Sequence, residues 1–167
     1  MEEKITVRMT DTYLFDFTLY HTYSKLAGFL TNILGAAIAF MGIIMLVMGK
    51  IKPVQIIFYL VAAVVFIAYT PLLLKYRSKK QVKGIERYHV PNEMTFNDEG
   101  IQVEFAEKKE TYEWEQIQKV VTTPKTIGFY YETEKALIVP KPDFGDKFVP
   151  ILTLATKKLG PARVHLR

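Results

Sequence analysis

The chain has 167 residues, half of them hydrophobic, and its mean hydropathy of +0.10 is high for a soluble protein of this size. The formal net charge of +5 is concentrated in residues 75–90, which hold six basic groups and one acidic group. A nucleic-acid-binding domain should itself be basic, whereas the basic excess of this chain lies in one short segment. Cysteine is absent from the chain. The composition therefore argues against nucleic acid as a partner and excludes disulfides, cysteine-zinc sites and thiol catalysis.

The first predicted elements lie in residues 1–25. Residues 5–9, ITVRM, alternate between apolar and polar side chains, which predicts a short strand. Thr10 is a suitable N-cap for a helix in the following stretch, DTYLFDFTLYHTYSKL. Aromatic and apolar side chains recur in it at intervals of three and four, which favours an amphipathic helix at the membrane interface over a ligand-binding surface. The residues of this stripe are Tyr13, Leu14, Phe17, Tyr20 and His21.

Two uncharged apolar segments predict a transmembrane hairpin over residues 26–74. Leu26–Met48 has 23 residues and Val54–Leu74 has 21, and about 20 apolar residues are enough to cross a bilayer core as a helix. The loop GKIKP between them has five residues, so the two helices must be antiparallel neighbours. No charged side chain lies within either segment, which disfavours a transporter or a pump.

One face of the first segment carries small residues at regular spacing. This pattern indicates close contact between helices, either within the hairpin or with another protein, and packing within the hairpin is the simpler interpretation. Asn32 is the polar exception and could hydrogen-bond across such a contact. The residues predicted to pack are Gly28, Asn32, Gly35, Ala39 and Gly42.

The basic run in residues 75–90 follows the second segment directly and is predicted to be a juxtamembrane linker. Lysine and arginine in short segments mark the cytoplasmic side of a membrane, and the flanks of the hairpin hold more of them than its loop does. Both termini of this two-span protein are therefore expected in the cytoplasm. Unless the basic residues act only as topology signals, they are expected to contact anionic lipid headgroups. These residues are Lys75, Arg77, Lys79, Lys80 and Lys83.

Residues 91–167 predict a small cytosolic β domain. Two hairpins are predicted: one joins EMTFN to IQVEF through the turn DEG, and the other joins IGFYYE to ALIVP through TEK. Between them, KETYEWEQI is predicted to be a further strand. FVPILTLATKKL has an apolar helical face, and the ending LGPARVHLR is predicted to be a frayed tail. The whole pattern predicts an α+β membrane protein, in which a two-helix transmembrane hairpin is joined to a small antiparallel β-sandwich or half-barrel capped by a C-terminal helix.

Four stretches of the sequence carry a family resemblance. One lies before the hairpin, TDTYLFDFTLYHTYSK, and three lie in the β region: TFNDEGIQVEF, ETYEWEQIQKV and IGFYYETEKALIVPK. In these stretches the chain resembles the YcxB-like family of small bacterial membrane proteins. The resemblance implies a location in the bacterial cell membrane. It also implies a C-terminal domain similar to pleckstrin-homology-like domains, which are bent β-sandwiches with a C-terminal helix. The resemblance implies no activity, and it therefore identifies no catalytic residues, cofactors or partners.

The sequence shows no catalytic or cofactor-binding pattern. The three histidines lie in separate segments, and there is no phosphate-binding glycine motif. The acidic residues around the predicted β hairpin alternate with lysines, as on a solvated surface. We therefore predict that the protein is not an enzyme and needs no metal and no cofactor. The acidic residues in question are Glu104, Glu107, Glu110, Glu113 and Glu115.

Three functions remain open. The first is a membrane-anchored accessory module that presents its β domain to a protein partner or forms a homo-oligomer. The second is an immunity or stress protein that protects the membrane from a toxin or an antimicrobial peptide, and the third is a sensor of a lipid or a small ligand. Trp114, Pro140 and Lys141 are a candidate rim for a partner or ligand, although a tryptophan in a small sheet is more often a core residue.

Overall fold

The computed structural model describes residues 2–85, 88–106 and 108–165, and these residues form two compact units. One unit comprises Met1–Phe17 and Ser78–Arg167, and the other comprises Thr18–Arg77. The N-terminal residues thus belong with the C-terminal β region, whereas the sequence placed them in a segment of their own. The physical reason is that the first strand pairs with a strand on the far side of the helical hairpin.

The first sheet is antiparallel and has the strand order β1-β2-β3-β4. Its strands are β1 (Glu3–Val7), β2 (Asn92–Phe96), β3 (Gly100–Phe105) and β4 (Lys108–Glu113). Ile5 lies opposite Met94, so β1 extends the predicted β2–β3 hairpin by one strand. The side chain of Asn97 accepts hydrogen bonds from the N–H groups of Glu99 and Gly100, which closes the turn between β2 and β3.

The second sheet has the strand order β7-β6-β5-β8. Its antiparallel strands are β5 (Lys119–Thr122), β6 (Thr126–Tyr130) and β7 (Ala136–Pro140), and β8 (Val164–His165) runs parallel to β5. The sequence predicted the β6–β7 hairpin, but it predicted a frayed tail where β8 lies. Two residues are too few to show an alternating pattern, so β8 depends on its pairing with β5. Leu166 and Arg167 of the predicted tail lie outside the described residues.

A shared core joins both sheets to the last helix, α4 (Phe148–Leu159). Phe96 of β2 lies with its ring centroid 5.4 Å from that of Phe129 on β6, and 6.5 Å from that of Phe144. Helix α4 buries the apolar face that its spacing predicted. The buried side chains of α4 are Ile151, Leu152, Leu154, Ala155 and Leu159.

Helix α1 (Asp11–Tyr23) packs its first turns onto the second sheet. Thr10 caps this helix through its side-chain oxygen, as predicted. Leu14 and Phe17 are buried, and a Cβ atom on Gly128 would lie 2.2 Å from the Phe17 ring. Glycine at this position of β6 is therefore required by the close approach of the helix. Part of the stripe that was predicted to lie at the membrane interface instead packs on protein.

The second unit contains an antiparallel helical hairpin. Helix α2 (Leu26–Val47) ends just before Gly49, whose φ of 67° suits a helix terminus, and the turn Pro53–Gln55 leads into α3 (Ile56–Gly84). Both helices are long and apolar enough to cross a membrane by length and composition, as predicted. Only 11% of the apolar window near the N-terminus and 6% of the second one are buried, unlike the core helices of a soluble protein.

Helix α3 continues beyond the predicted span, which ended at Leu74. The predicted linker 75–90 is in fact helical as far as Gly84. Lysine, arginine and glutamine favour helices, and no glycine or proline interrupts the run before Gly84. Residues 75–84 of the predicted linker therefore continue α3, whereas Glu86 and Arg87 lie outside the described residues.

Candidate functional site

Three of the predicted basic residues share one side of α3. At 100° per residue, Lys75, Lys79 and Lys83 fall within about 80° of one another around the helix axis. Ser78 projects from the other side and is only 2% exposed. The basic side chains are all exposed, so they are free to contact anionic headgroups. These exposed residues are Lys75, Arg77, Lys79, Lys80 and Lys83.

The predicted small-residue face of α2 lies against α3 at two positions. A Cβ atom on Gly35 would lie 2.7 Å from Cγ1 of Ile67, and a Cβ atom on Gly42 would lie 2.6 Å from Cβ of Tyr59. Tyr59 also donates a hydrogen bond from its hydroxyl to the sulfur of Met45 at 3.3 Å. Gly35 and Gly42 therefore serve packing within the hairpin, which was the simpler of the two interpretations.

The other three predicted packing residues have separate surroundings. A Cβ atom on Gly28 would lie 2.3 Å from the carbonyl oxygen of Thr22, so this glycine permits the turn between α1 and α2. Ala39 is half-buried. Asn32 is also half-buried, and its buried Oδ1 atom accepts no hydrogen bond from any residue that the structure describes. The cross-helix hydrogen bond considered for Asn32 is therefore absent at that atom within the described hairpin.

Substitution of Gly42 with leucine should separate the two helices of the hairpin. The new side chain would overlap Tyr59, and overpacking of this kind typically costs about 1–3 kcal/mol. We expect faster amide hydrogen exchange in both helices, measured by mass spectrometry of the detergent-solubilised protein. Ala37→Leu is the matched control, because Ala37 is exposed on the same helix. Equal exchange in the two variants would contradict the packing role of Gly42.

The three residues of the predicted rim do not form one surface. Trp114 lies in a 3-10 turn after β4, is 3% exposed, and donates a hydrogen bond from Nε1 to the carbonyl oxygen of Asn97 at 2.9 Å. Pro140 is buried at the end of β7, whereas Lys141 is half-buried. Trp114 is thus a core residue with a satisfied N–H group, and Lys141 is the member of the rim that offers a polar group to a ligand.

Lys141 lines an open cleft of about 480 Å³ in the β unit. The start of α1 forms one wall of this cleft. The residues just before β6 and just after β7 form the other wall. The lining includes Thr12, Tyr13, Pro124, Lys125, Lys141 and Pro142. We did not predict the cleft from the sequence, because it joins parts of the chain that the hairpin separates.

The backbones of two lysines of the cleft are hydrogen-bonded to each other just outside β6 and β7. The N–H group of Lys141 donates to the carbonyl oxygen of Lys125 at 2.9 Å, which extends the β6–β7 ladder one step past the pair of Thr126 with Pro140. Opposed residues in an antiparallel pair project to the same face of a sheet, and like charges placed in this way repel each other. Among the described residues, neither ammonium group forms an ion pair.

Asp16 of α1 holds the turn from which Lys125 projects. Its Oδ2 atom accepts hydrogen bonds from the N–H group of Lys125 at 3.1 Å, from the hydroxyl of Thr126 at 3.3 Å and from the hydroxyl of Thr123. The two threonine hydroxyl oxygens lie 2.7 Å apart, so either hydroxyl can donate to the other in place of Asp16. One carboxylate thus fastens α1 to the β5–β6 turn. The sequence does not predict this contact, because no pattern shows which distant turn a helix carboxylate will meet.

The turn Lys141–Lys147 covers the outer edge of β1. Asp143 accepts a hydrogen bond from the N–H group of Arg8 at 2.7 Å, and Lys147 donates from Nζ to the carbonyl oxygen of Lys4 at 2.6 Å. Burial raises the pKa of the Asp143 carboxyl, although the backbone and the charge of Arg8 oppose this shift. Because its edge groups are occupied, β1 is protected from pairing with a foreign strand.

The carboxylates around β3 and β4 belong to a solvated surface. Glu104 lies 3.0 Å from Nζ of Lys109, and this hydrogen bond lowers the pKa of Glu104. General acid catalysis at neutral pH requires a raised carboxyl pKa, so the shift runs the wrong way for such a role. Glu107 lies outside the described residues, and the other predicted carboxylates are exposed: Glu110, Glu113 and Glu115. Within residues 2–85, 88–106 and 108–165, no metal-binding cluster of histidine and acidic side chains occurs.

A sequence model of the family described as YcxB-like protein matches residues 96–149. The predicted resemblance to the YcxB-like family is confirmed over this segment. The YcxB-like segment runs from the end of β2 to the start of α4, and it includes Trp114 and both lysines of the cleft. Neither a curated protein nor a solved structure matches the chain.

Proposed function

We propose that the protein is a non-enzymatic, membrane-anchored module that presents a cytosolic pleckstrin-homology-like domain to a protein partner at the bacterial cell membrane. The observation that carries this proposal is the pairing of β1 with β2 on either side of the hairpin. Because Ile5 lies opposite Met94, both flanks of the hairpin return to one folded sheet. A hairpin inserted in a bilayer then has both of its ends on the side that holds the β-sheets.

The distribution of basic residues supports the cytoplasmic orientation. Five exposed basic side chains follow the apolar part of α3, whereas the loop of the hairpin carries only Lys50 and Lys52. Excess lysine and arginine mark the cytoplasmic side of a membrane protein. Each basic residue near an anionic surface adds about 1 kcal/mol of attraction, which would hold the end of α3 at the headgroups.

The order of elements supports a pleckstrin-homology-like arrangement of the β unit. Strands β1 to β4 follow one another in one antiparallel sheet, β5 to β7 follow one another in a second, and α4 packs against the core that both sheets share. This order is that of a bent sandwich with a C-terminal helix. The hairpin is inserted after the first strand, so the anchor and the domain are parts of one fold.

A binding role fits the chemistry of the β unit better than an enzymatic role does. Glu110, Glu113 and Glu115 are exposed, and the pKa of Glu104 is lowered by its contact with Lys109. Attachment to the bilayer raises the effective concentration of a partner in the same membrane, so modest contacts suffice for association. A membrane-embedded protein or a second copy of the chain is the kind of partner that benefits most.

The two other functions make different demands on the molecule. An immunity or stress protein that met a toxin helix through its glycine face would need that face to be open, yet Gly35 and Gly42 already lie against α3. Increased survival of a sensitive strain that expresses the protein would nevertheless favour this function over ours. A ligand sensor would need a concave site near Lys141, and the cleft described above meets that need.

Labelling of single introduced cysteines tests the orientation, because the native chain has none. Lys50→Cys lies in the hairpin loop and Lys108→Cys lies on β4. In spheroplasts, we expect a membrane-impermeant maleimide to label Lys50→Cys, and to label Lys108→Cys only after lysis. The reverse pattern would contradict a cytosolic β unit, and extraction of the protein by alkaline carbonate would contradict membrane insertion.

Affinity purification from detergent extracts tests the partner. We expect the full-length chain to recover one protein in a constant ratio, or to elute as a homo-oligomer. Phe96→Ala is the informative variant, because it disrupts the β core and leaves the hairpin sequence intact. Loss of the partner from this variant would assign the contact to the β unit. Repeated recovery of a monomer alone would contradict the proposed function.

A further inference from the structure

The geometry of the β unit points to a second role, beyond contact with a protein partner: the cleft lined by Lys125 and Lys141 binds the phosphate group of a phosphomonoester. Two sources share this chemistry, namely a small phosphorylated metabolite and the headgroup of a phosphomonoester lipid. The inference rests on the cleft and its lysine pair, and it does not require the protein partner proposed above.

The lysine pair is the first argument. The backbones of Lys125 and Lys141 are hydrogen-bonded at 2.9 Å, and both side chains line the same cleft. No ion pair among the described residues balances either charge. An ordinary surface would separate two such charges or place a carboxylate between them, since opposed like charges destabilise a sheet. An anion bound between the two ammonium groups would convert this repulsion into attraction.

The state of the nearby carboxylates is the second argument. Asp16 is the acidic residue in contact with Lys125, but its Oδ2 atom is occupied by that residue's backbone and by two threonine hydroxyls. Asp143 follows Lys141 closely in the chain, but it accepts the N–H group of Arg8. Asp11 does not line the cleft. Among the described residues, neither Asp16 nor Asp143 forms an ion pair with a lysine of the cleft, and the lining residues carry two positive charges and no negative charge.

The charge and size of the cleft select the ligand class. A phosphomonoester carries close to two negative charges at neutral pH and has three strong acceptor oxygens, so it can satisfy both ammonium groups at once. A carboxylate or a phosphodiester brings one charge and would balance only one lysine. The volume of about 480 Å³ falls within the range of roughly 300–1,000 Å³ that is usual for small-molecule sites. The hydroxyl-bearing residues Thr12 and Tyr13 also line the cleft.

Two matched probes distinguish the two sources of phosphate. Glycerol phosphate is titrated by calorimetry against the full chain in phosphatidylcholine nanodiscs. A photoactivatable phosphatidic acid is crosslinked to the chain in nanodiscs of the same composition, and a photoactivatable phosphatidylglycerol serves as the phosphodiester control. Lysine-dependent binding in the first arm identifies a soluble ligand. Lysine-dependent crosslinking of phosphatidic acid, but not of phosphatidylglycerol, identifies a lipid. Either result supports the inference.

The test variants are Lys125→Gln, Lys141→Gln and the double variant. The double substitution Lys108→Gln/Lys157→Gln is the matched control, because it removes the same charge from exposed positions outside the cleft. We expect each single substitution to weaken binding about tenfold, as for the loss of a charge-assisted hydrogen bond, and the control to bind like the native chain. The basic run of α3 is unchanged in every variant, so it cannot account for a difference. Equal signals from the cleft and control variants, or no binding in either arm, would overturn the inference.

Discussion

Replacement of Phe96 with alanine is expected to lower the free energy of unfolding of the β unit by about 3–5 kcal/mol. Phe96 is fully buried, and its ring lies between Phe129 of the second sheet and Phe144 of the turn before α4. Phe96 therefore connects β2 to both of these parts of the core. Removal of the ring leaves a cavity that the sheets, whose strands are held by backbone ladders, can close only in part.

The fluorescence of Trp114 reports this change directly. It is the sole tryptophan, and it is buried within the same core, so denaturant titration in detergent follows the β unit without interference from the hairpin. Val149→Ala is the control, because Val149 is 67% exposed on α4, and exposed substitutions usually change stability by less than about 0.5 kcal/mol. A loss below about 1 kcal/mol for Phe96→Ala would show that Phe96 does not bridge the sheets as described.

Replacement of Asp16 with alanine is expected to cost about 2–3 kcal/mol, the second-largest effect that we predict. The carboxylate accepts three hydrogen bonds from the β5–β6 turn, and hydrogen bonds to charged groups are stronger than neutral ones. Two of the donors are the hydroxyls of Thr123 and Thr126, which are both buried. Without the carboxylate, one hydroxyl can donate to the other, whose oxygen lies 2.7 Å away, which keeps the loss below that expected for two unpaired hydroxyls.

Denaturant titration of Asp16→Ala and Asp16→Asn separates this contact from a general effect on the helix. The side-chain amide introduced by Asp16→Asn can still accept a hydrogen bond but lacks the charge, so the loss of stability should be about half as large. Asp11→Ala is the control, because Asp11 is an exposed acidic residue in the first turn of the same helix. If Asp11→Ala and Asp16→Ala lower stability equally, the effect belongs to the helix terminus and not to the contact with the turn.

These contacts fasten the N-terminal residues to the β unit. The chain leaves the first sheet after β1, passes along the second sheet as α1, and returns to the first sheet as β2 after the hairpin. Asp16 and Phe17 fasten α1 to the second sheet just before the chain enters the hairpin unit. The β unit is thus stabilised by residues on both sides of the insertion, so removal of residues 1–17 should destabilise it.

Local patterns in the sequence determined much of this molecule. Long uncharged runs predicted the two helices of the hairpin, a helical apolar period predicted α4, and turn residues predicted the hairpins β2–β3 and β6–β7. Each of these signals lies within about 25 neighbouring residues, where composition and spacing reflect the conformation directly. The register of the β6–β7 hairpin, in which Thr126 lies opposite Pro140, was not predicted from the sequence.

The tertiary structure alone decided which distant segments meet. β1 joins β2 across the hairpin, β8 exists only because β5 offers a free edge, and Asp16 reaches a turn more than a hundred residues later. The assembled fold also decided between a core position and a rim position for Trp114, which is buried. Such contacts depend on how complementary faces pack against each other, and many different sequences can form the same contact. A contact of this kind therefore produces no repeating pattern within any one segment of the sequence.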